Sequence, residues 1–585
     1  MKIKVVITVG VLFFLYLFLS FNTNFYGPDM PIYYAYTHSI VEDGDLNLAD
    51  FKISGLNIPR FRDEPYCYRT KGVSKTYNFP GFHSHGGIIM WVPFYLYGKV
   101  VSGVSAATNI LMIKELGTEK VAWCVLSFST ICFGFLAAVL TYFLCRIFFS
   151  QGIALWSTMV IVLATPFLYY TVYHPGNANI IAILFSILSI WIASWAMEMK
   201  RWDWFLYGVF FSICLIIKVD LWFQIIFIAF IYIVLLIGKK VRWVHGMYFI
   251  IGMLPGLFLK GINDYLKYGV VRVGELGVTN IRNYYIWDKL FHSYRGIFYK
   301  TPVLWICLAG FILVSIYLAK NWFRPDDKKK YRDCFIFILG IVLWIKISFL
   351  VLSHEGGGGL NASRKLLTEL PILVLLFARA FPKRNIFLRI LFIALSLAFI
   401  TWNLIISCEP MTGDLLRHVR EGTTLMQRLK DLPGAPIFPA LFGVKDVALK
   451  LKFCLPLLVI IFLFVPFIYL RVRSVKSSDW YLRESGRYPL LRKGFILFSL
   501  YSLVAYMTVT GLNLVNNGKN VERLKKSGYF NGVRIISPDT LEKEDKLEIM
   551  DDMIRYFTIR GELKRVEEIR EYKRINYGVT QEREW

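Results

Sequence analysis

The sequence predicts an all-helical membrane protein of about thirteen spans, with a large first external loop. Three observations carry this. Of 585 residues, 56% are hydrophobic and 17% aromatic, more apolar than the roughly 45–50% of a soluble chain. Apolar runs approaching the ~20 residues of a bilayer crossing recur along the chain. Basic clusters fall between those runs on alternate turns, which sets an orientation. Lys and Arg number 67 against 41 Asp and Glu, a net +26. A soluble chain with that balance points to nucleic acid. Here basic cytoplasmic loops and contacts with anionic membrane lipids account for it, and a phosphate-bearing substrate adds to it. No nucleic-acid partner is expected.

Lys2 and Lys4 precede the apolar run Val5 to Ser20, and no small-residue cleavage site follows in Ser20-Phe21-Asn22-Thr23-Asn24. The run reads as an uncleaved span with a cytoplasmic N-terminus. Residues 22–118 form an external loop of ~95 residues, far longer than ordinary connections, and such loops are usually functional. Within it, Pro31 to Val41 reads as a short Tyr-rich helix and Asp43-Gly44-Asp45 as a turn. The apolar run ending at Val101, with Pro93 and Gly98 inside it, reads as a helix lying on the membrane, with a true span as the alternative.

Spans follow at 120–144, 152–172 and 177–197. The stretch Phe205 to Gly238 is apolar except at Lys218-Val219-Asp220 and Gln224, and both of its flanks are basic: Lys200-Arg201 before, Lys239-Lys240-Val241-Arg242 after. If both flanks are cytoplasmic the stretch is a hairpin with Lys218 to Asp220 at its external tip. If it is one long tilted helix, every later loop swaps sides. Further spans fall at 244–262, 302–320, 334–352, 366–380, 386–407, 453–470 and 494–513. Residues 1–515 thus form the membrane domain, and 516–585 a small polar, partly helical tail that lies outside on this parity. The nine cysteines show no Cys-x-x-Cys and no zinc spacing. Cys67 and Cys408 both fall in external loops, where a disulfide is an option.

The candidate chemistry lies outside the membrane. Asp29, a few residues beyond the first span, has two compatible readings: a general base for an acceptor hydroxyl, or the N-cap of the helix that Pro31 begins. Lys218 and Asp220 interrupt an apolar stretch, where ionisable residues need a partner or a polar cavity. They read either as a salt-bridged tip or as a phosphate site on Lys218. Gly356 to Gly359 followed by Arg364 and Lys365 is either a mobile linker or a loop that lets cations approach a phosphate. It lacks the Gly-Lys-Ser/Thr ending of a nucleotide-binding loop. His83-Ser84-His85 lacks a third metal ligand, so no metal site is expected, and Asp43-Gly44-Asp45 lacks the rest of a calcium loop. His174, in Tyr173-His174-Pro175-Gly176-Asn177, reads as a cap or a substrate contact.

Taken in order, several of these pieces resemble the GT-C superfamily of membrane glycosyltransferases, which includes protein O-mannosyltransferases and lipid A aminoarabinose transferases. They are Gly27-Pro28-Asp29 with Tyr33-Tyr34, Glu42-Asp43-Gly44-Asp45-Leu46-Asn47, Pro80-Gly81 leading into Trp91-Val92-Pro93, Lys218-Val219-Asp220, Asn263-Asp264-Tyr265, Tyr294-Arg295-Gly296-Ile297-Phe298, and the Gly-rich loop into Arg364. The resemblance implies a multi-pass enzyme, expected in a bacterial plasma membrane. It implies transfer of a sugar from a polyprenyl phosphate to a lipid, glycan or protein acceptor at the external face. It implies Asp29 as catalytic base, with Lys218, Arg364 and Arg295 on the donor phosphate and Tyr33 and His174 as substrate contacts. Many members carry a second acidic residue beside the base; Met30 stands there, leaving Glu42 and Asp43 as secondary acidic candidates. A divalent cation is compatible with the chemistry, and no other cofactor is implied. One carboxylate with several cations suits a leaving group that is already acidic. A glycoside hydrolase needs a second carboxyl group to protonate its leaving group. A transporter or flippase of lipid-linked glycans is the rival reading. It would show paired repeats and broken helices in matching halves, and no internal repeat is evident. A polysaccharide polymerase or ligase would share the donor but use a differently placed loop.

Overall fold

A computed structural model describes residues 3–21, 29–46, 72–73, 86–108, 117–196, 199–268, 286–291, 296–321, 328–352, 364–382, 385–408, 488–526, 534–535 and the single positions 454, 567, 570, 571 and 574. The architecture is helical. In order the helices are α1 (Ile3–Ser20), α2 (Asp29–Glu42), α3 (Ile88–Thr108), α4 (Gly117–Phe148), α5 (Gln151–Leu163), α6 (Ala178–Ser194), α7 (Arg201–Ile217), α8 (Phe223–Ile237), α9 (Trp243–Tyr268), α10 (Ile286–Phe291), α11 (Leu304–Asn321), α12 (Lys328–Leu352), α13 (Leu370–Ala380), α14 (Ile386–Cys408) and α15 (Tyr488–Lys526), with one further helical turn at Ile297–Lys300. A two-residue parallel pairing joins Gly72–Val73 to Arg534–Ile535.

Among the described residues, six helical segments are long and apolar enough to cross a bilayer: Val121–Phe148, Asp220–Ile237, Trp243–Leu266, Arg332–Val351, Ile386–Leu404 and Leu497–Arg523. Shorter apolar helices lie at Val5–Ser20, Ile88–Val104, Gln151–Leu163, Ala178–Ser194 and Leu304–Lys320. Apart from Cys454, the span expected at 453–470 lies outside the described residues. The run expected as one span at 152–172 is broken. α5 ends at Leu163, and Pro166, which has no N–H to donate, precedes a π-helical turn at Tyr169–Tyr173.

The chain divides into two compact units. One comprises residues 1–33, 84–257 and 274–504; the other comprises 34–83, 258–273 and 505–585. In the first, α3 packs along α4, α4 against α6, and α13 against α11 and α5. α13 is apolar all round and buried from Leu370 to Ala378, the pattern of a helix enclosed by others. α7 and α9 meet through small residues. A side chain added at Gly208 would strike the Phe249 carbonyl, one at Gly252 the Phe205 carbonyl, and one at Gly256 the Ser212 hydroxyl. Gly252 and Gly256, four apart, let the two backbones touch, the small-xxx-small device of membrane helices.

The stretch Phe205 to Gly238 forms the hairpin. Trp204 on α7 and Tyr232 on α8 have ring centroids 5.7 Å apart. One continuous helix would separate them by about 42 Å at 1.5 Å per residue. The reversal occurs at Lys218, whose extended backbone (φ −157°, ψ 131°) ends α7 before a 3-10 turn at Val219–Trp222.

In the second unit the end of α2, the turn after it, the end of α9 and the C-terminal part of α15 come together. α15 runs unbroken to Lys526, so the expected boundary at 515/516 falls inside a helix. α2 begins at Asp29, two residues before the expected start.

Candidate active site

Charged residues gather where several helices of the first unit end. Asn179 stands in the first turn of α6, and the Asn177 side chain caps that turn, accepting the Asn179 N–H at 2.9 Å. α6 and α7 run antiparallel: Tyr207 donates its hydroxyl to the Ser189 carbonyl at 3.0 Å, and Phe185 stacks on Phe210 at 5.5 Å. That register delivers Lys218 to Asn179, whose side-chain oxygen accepts from the Lys218 ammonium. The same ammonium pairs with Asp220 at 2.7 Å, with the two side chains 20% and 16% exposed.

A second, fully buried pair lies beside it. Lys346 of α12 reaches Glu369 at 2.8 Å, both side chains 0% exposed, and the Thr368 hydroxyl at 2.5 Å. The 3-10 helix Arg364–Glu369 holds these partners just before α13. Ser186 ties that helix to α6, donating to the Thr368 carbonyl at 2.5 Å, and Gln224 of α8 donates to Ser186. The Lys346 ammonium also stands 5.5 Å from the Phe223 ring centre. Lys218, Lys346 and Lys365 are all near enough to act on the charge of Asp220. Among the described residues, Lys218 pairs with Asp220 and Lys346 with Glu369, in surroundings that screen charge far less than water. Lys289 of α10 lies on the last turn of α12, donating to the Val351 carbonyl at 2.8 Å; partial burial pushes its ammonium below the ordinary lysine range.

Of the residues singled out in the sequence, Lys218 lies in this cluster. Arg364 opens the 3-10 helix, which packs against the turn following Lys218; its side chain is outside the described set, as are all of Arg295 and the His83-Ser84-His85 stretch. His174 is buried, its ring stacked on Tyr169 at 5.9 Å and edge-on to Tyr170 at 5.7 Å, five residues before Asn179. Tyr33 is buried against Trp91 with ring centres 5.0 Å apart. Asp29 is the first residue of α2, and its side chain is outside the described set. Glu42 is exposed at the end of α2, and Asp43 opens the turn that follows. Cys67 and the Cys408 side chain are also outside that set; the seven cysteines described are free thiols. Among the described residues no three His, Cys, Asp or Glu side chains group as metal ligands.

Sequence reasoning missed Lys346, Glu369 and Asn179. Lys346 and Glu369 each interrupt an expected span, the same signal that drew attention to Lys218. It also missed Gly86, where an added side chain would strike the Ile216 carbonyl, so only glycine lets the chain lie against the end of α7 beside Lys218.

An all-helical membrane fold with a lysine-rich cluster at the ends of its helices fits the class of membrane glycosyltransferases. Residues 110–260, from just before α4 into α9, match the model of the dolichyl-phosphate-mannose-protein mannosyltransferase family. That is a family of the GT-C superfamily, and together with the candidate spans it supports an integral membrane glycosyltransferase. No curated protein and no solved structure matches the chain. The matched segment contains His174, Asn179, Lys218 and Asp220 and stops short of Lys346 and Glu369.

Proposed function

We propose that this chain moves a sugar from a polyprenyl-phosphate donor to a hydroxyl or amine of a lipid, glycan or protein acceptor, at the external face of the membrane. The observation that carries the reading is the Lys218–Asp220 and Lys346–Glu369 cluster, partly inside the segment that matches a lipid-phosphate-sugar transferase family. In the reaction the acceptor heteroatom bonds to the anomeric carbon as the bond from that carbon to the phosphate oxygen breaks. The acceptor proton passes to a base, and the electron pair leaves with the polyprenyl phosphate. The leaving group needs cations and no general acid. Lys218, with Arg364 and Lys365 on the facing 3-10 helix, takes the phosphate charge. Asn179 and Asp220 hold the Lys218 ammonium in place, and Lys346 adds to the field from below. Arg295 is a further phosphate candidate, and Tyr33 and His174 are candidates for contact with the sugar or acceptor. Asp29 takes the proton; Glu42 and Asp43 are its alternates.

Lipid mass spectrometry on cells lacking the protein tests this, with wild type, Asp29→Asn or Lys218→Ala restored. The expected result is that a polyprenyl-phosphate sugar accumulates with either variant and clears with wild type. Identical lipid profiles for all three, with the proteins equally present in the membrane, would overturn the reading.

A further inference from the structure

The second unit contains an amide network that the donor site does not use. Asn513, Asn516 and Asn520 recur at i, i+3 and i+7 on α15, which places them along one face of the helix. That face grips the turn after α2. Asn513 accepts the Leu46 N–H at 3.1 Å; Asn516 donates to the Gly44 carbonyl at 3.3 Å; Asn520 donates to the Asp45 carboxylate at 2.8 Å and to the Asp43 carbonyl at 3.4 Å. The turn needs glycine at its centre: Gly44 has φ +71°, and an added side chain would collide with the Asn516 amide.

The grip is braced from both sides. Asp45, 1% exposed, accepts the Ser39 hydroxyl at 3.0 Å, which ties the turn to the last turn of α2. Asn513 donates to Asn263 of α9 at 3.2 Å, and Asn263 donates in turn to Thr510 at 2.6 Å and Tyr506 at 3.2 Å. Both the Asn263 and Asn513 side chains are buried, so these bonds are shielded from competing water.

We infer that the asparagine face of α15 is a latch that positions α2. The inference rests on the reading of Asp29 as base. α2 is a rod of 14 residues, about 20 Å long, with Asp29 at one end and the latched turn at the other. Tyr33 packs on Trp91 four residues after Asp29, and the latch at the other end sets the tilt of the rod about that contact. A displacement of about 1 Å at a reacting group lowers a rate by about 10²-fold. Asn513, Asn516 and Asn520 are positioning residues on this account. A turn that merely ended a helix would need one or two backbone capping bonds. Here four successive residues, Asp43 to Leu46, are each held by a side chain of α15.

The test exchanges donor and acceptor across one contact. Asn520→Asp sets two carboxylates against each other. Asp45→Asn combined with Asn520→Asp restores the bond in reverse, the new amide at position 45 donating to the new carboxylate at position 520, while the Ser39 hydroxyl keeps an oxygen to bond. Three readouts are taken on the full-length protein: backbone hydrogen exchange over residues 34–46, binding of unsubstituted polyprenyl phosphate, and clearance of the accumulated donor lipid in cells. The expected result for Asn520→Asp is about tenfold faster exchange over residues 34–46, clearance about 10²-fold slower, and polyprenyl-phosphate affinity within about twofold of wild type. The reciprocal pair returns exchange and clearance toward wild type. Unchanged exchange in Asn520→Asp overturns the latch. Faster exchange with wild-type clearance, while Asp29→Asn blocks clearance, overturns the positioning role. Loss of phosphate affinity in parallel with clearance overturns it too, because the latch would then act on the whole fold. If Asp29→Asn itself clears the donor normally, the positioning role falls with the base reading, and the exchange data separate that failure from failure of the latch.

Discussion

The cluster around Lys218 and Lys346 is ionic, whereas the bonds that join Asn513 and Asn263 to their partners are between neutral amides and hydroxyls, with the Asp45 carboxylate and the Lys260–Asp264 pair at the edges of the network. Both hold segments of chain together, and amides do that at lower risk, since burying a charge is far more expensive than burying a paired amide. A charged cluster retained where neutral groups would serve suggests a task beyond holding. Neutralised lysines keep their ammonium groups fixed, and an incoming phosphate can exchange for a carboxylate without reorganising the site. The amide network offers an anion no such opening; it has directional bonds and a fixed length, which suits positioning.

The largest expected effect comes from splitting the fully buried pair. Glu369→Gln leaves the Lys346 ammonium without its counter-charge at 0% exposure, and should destabilise the protein by about 3–5 kcal/mol. Lys346→Met with Glu369→Leu should recover most of that stability, because a well-packed apolar pair replaces an ion pair at little net cost. Thermal unfolding in detergent measures both. If the double variant regains stability and still fails to clear donor lipid, the Lys346–Glu369 pair serves the reaction. If it regains both, the pair is structural and the contrast between the two clusters weakens.

Next in size is the asymmetry within the partly buried Lys218–Asp220 pair. Were Lys218 and Asp220 only a salt-bridged tip, removing either partner would have equal effects. A phosphate site predicts otherwise. Lys218→Ala should weaken polyprenyl-phosphate binding by at least about tenfold, and Asp220→Asn should leave it within about threefold or tighten it, since a competing carboxylate is gone. Binding measured at two ionic strengths checks this. Equal losses in the two variants count against the site.

Much of the fold could be read from the residues, because membrane spans obey one dominant rule. The basic flanks, Lys200-Arg201 and Lys239-Lys240, left a hairpin and one long tilted helix open, and the Trp204–Tyr232 contact shows the reversal. The broken run at 152–172 was harder, since apolar composition is blind to the bend that Pro166 brings. α15 runs past its expected end because apolar composition fades after Leu512, while beyond Asn513 the helix carries the amide contacts of Asn516 and Asn520. In the site, Lys218 stood out by interrupting an apolar stretch. Lys346 did the same from inside α12 yet had no visible partner, for Glu369 lies 23 residues away on another element. Pairing across such a gap is a property of packing, and no spacing rule expresses it.

The smallest expected effect tests the neutral side of the contrast. Asn513→Leu removes the acceptor for the Leu46 N–H and the donor for Asn263, both buried, and should destabilise the second unit by about 1–3 kcal/mol. Asn513→Asp keeps an acceptor for the Leu46 N–H but buries a carboxylate against the Asn263 oxygen, so it should cost more than leucine. Ser39→Ala should be the mildest, about 1 kcal/mol, because Asp45 keeps its bond to Asn520. Hydrogen exchange over residues 34–46 ranks the three. Losses that fall from aspartate through leucine to Ser39→Ala, with polyprenyl-phosphate affinity untouched, are what a neutral positioning network predicts. An Asn513→Asp effect no larger than that of Ser39→Ala would mean that a charge is tolerated in this network as it is in the lysine cluster, and the distinction between the two would fail.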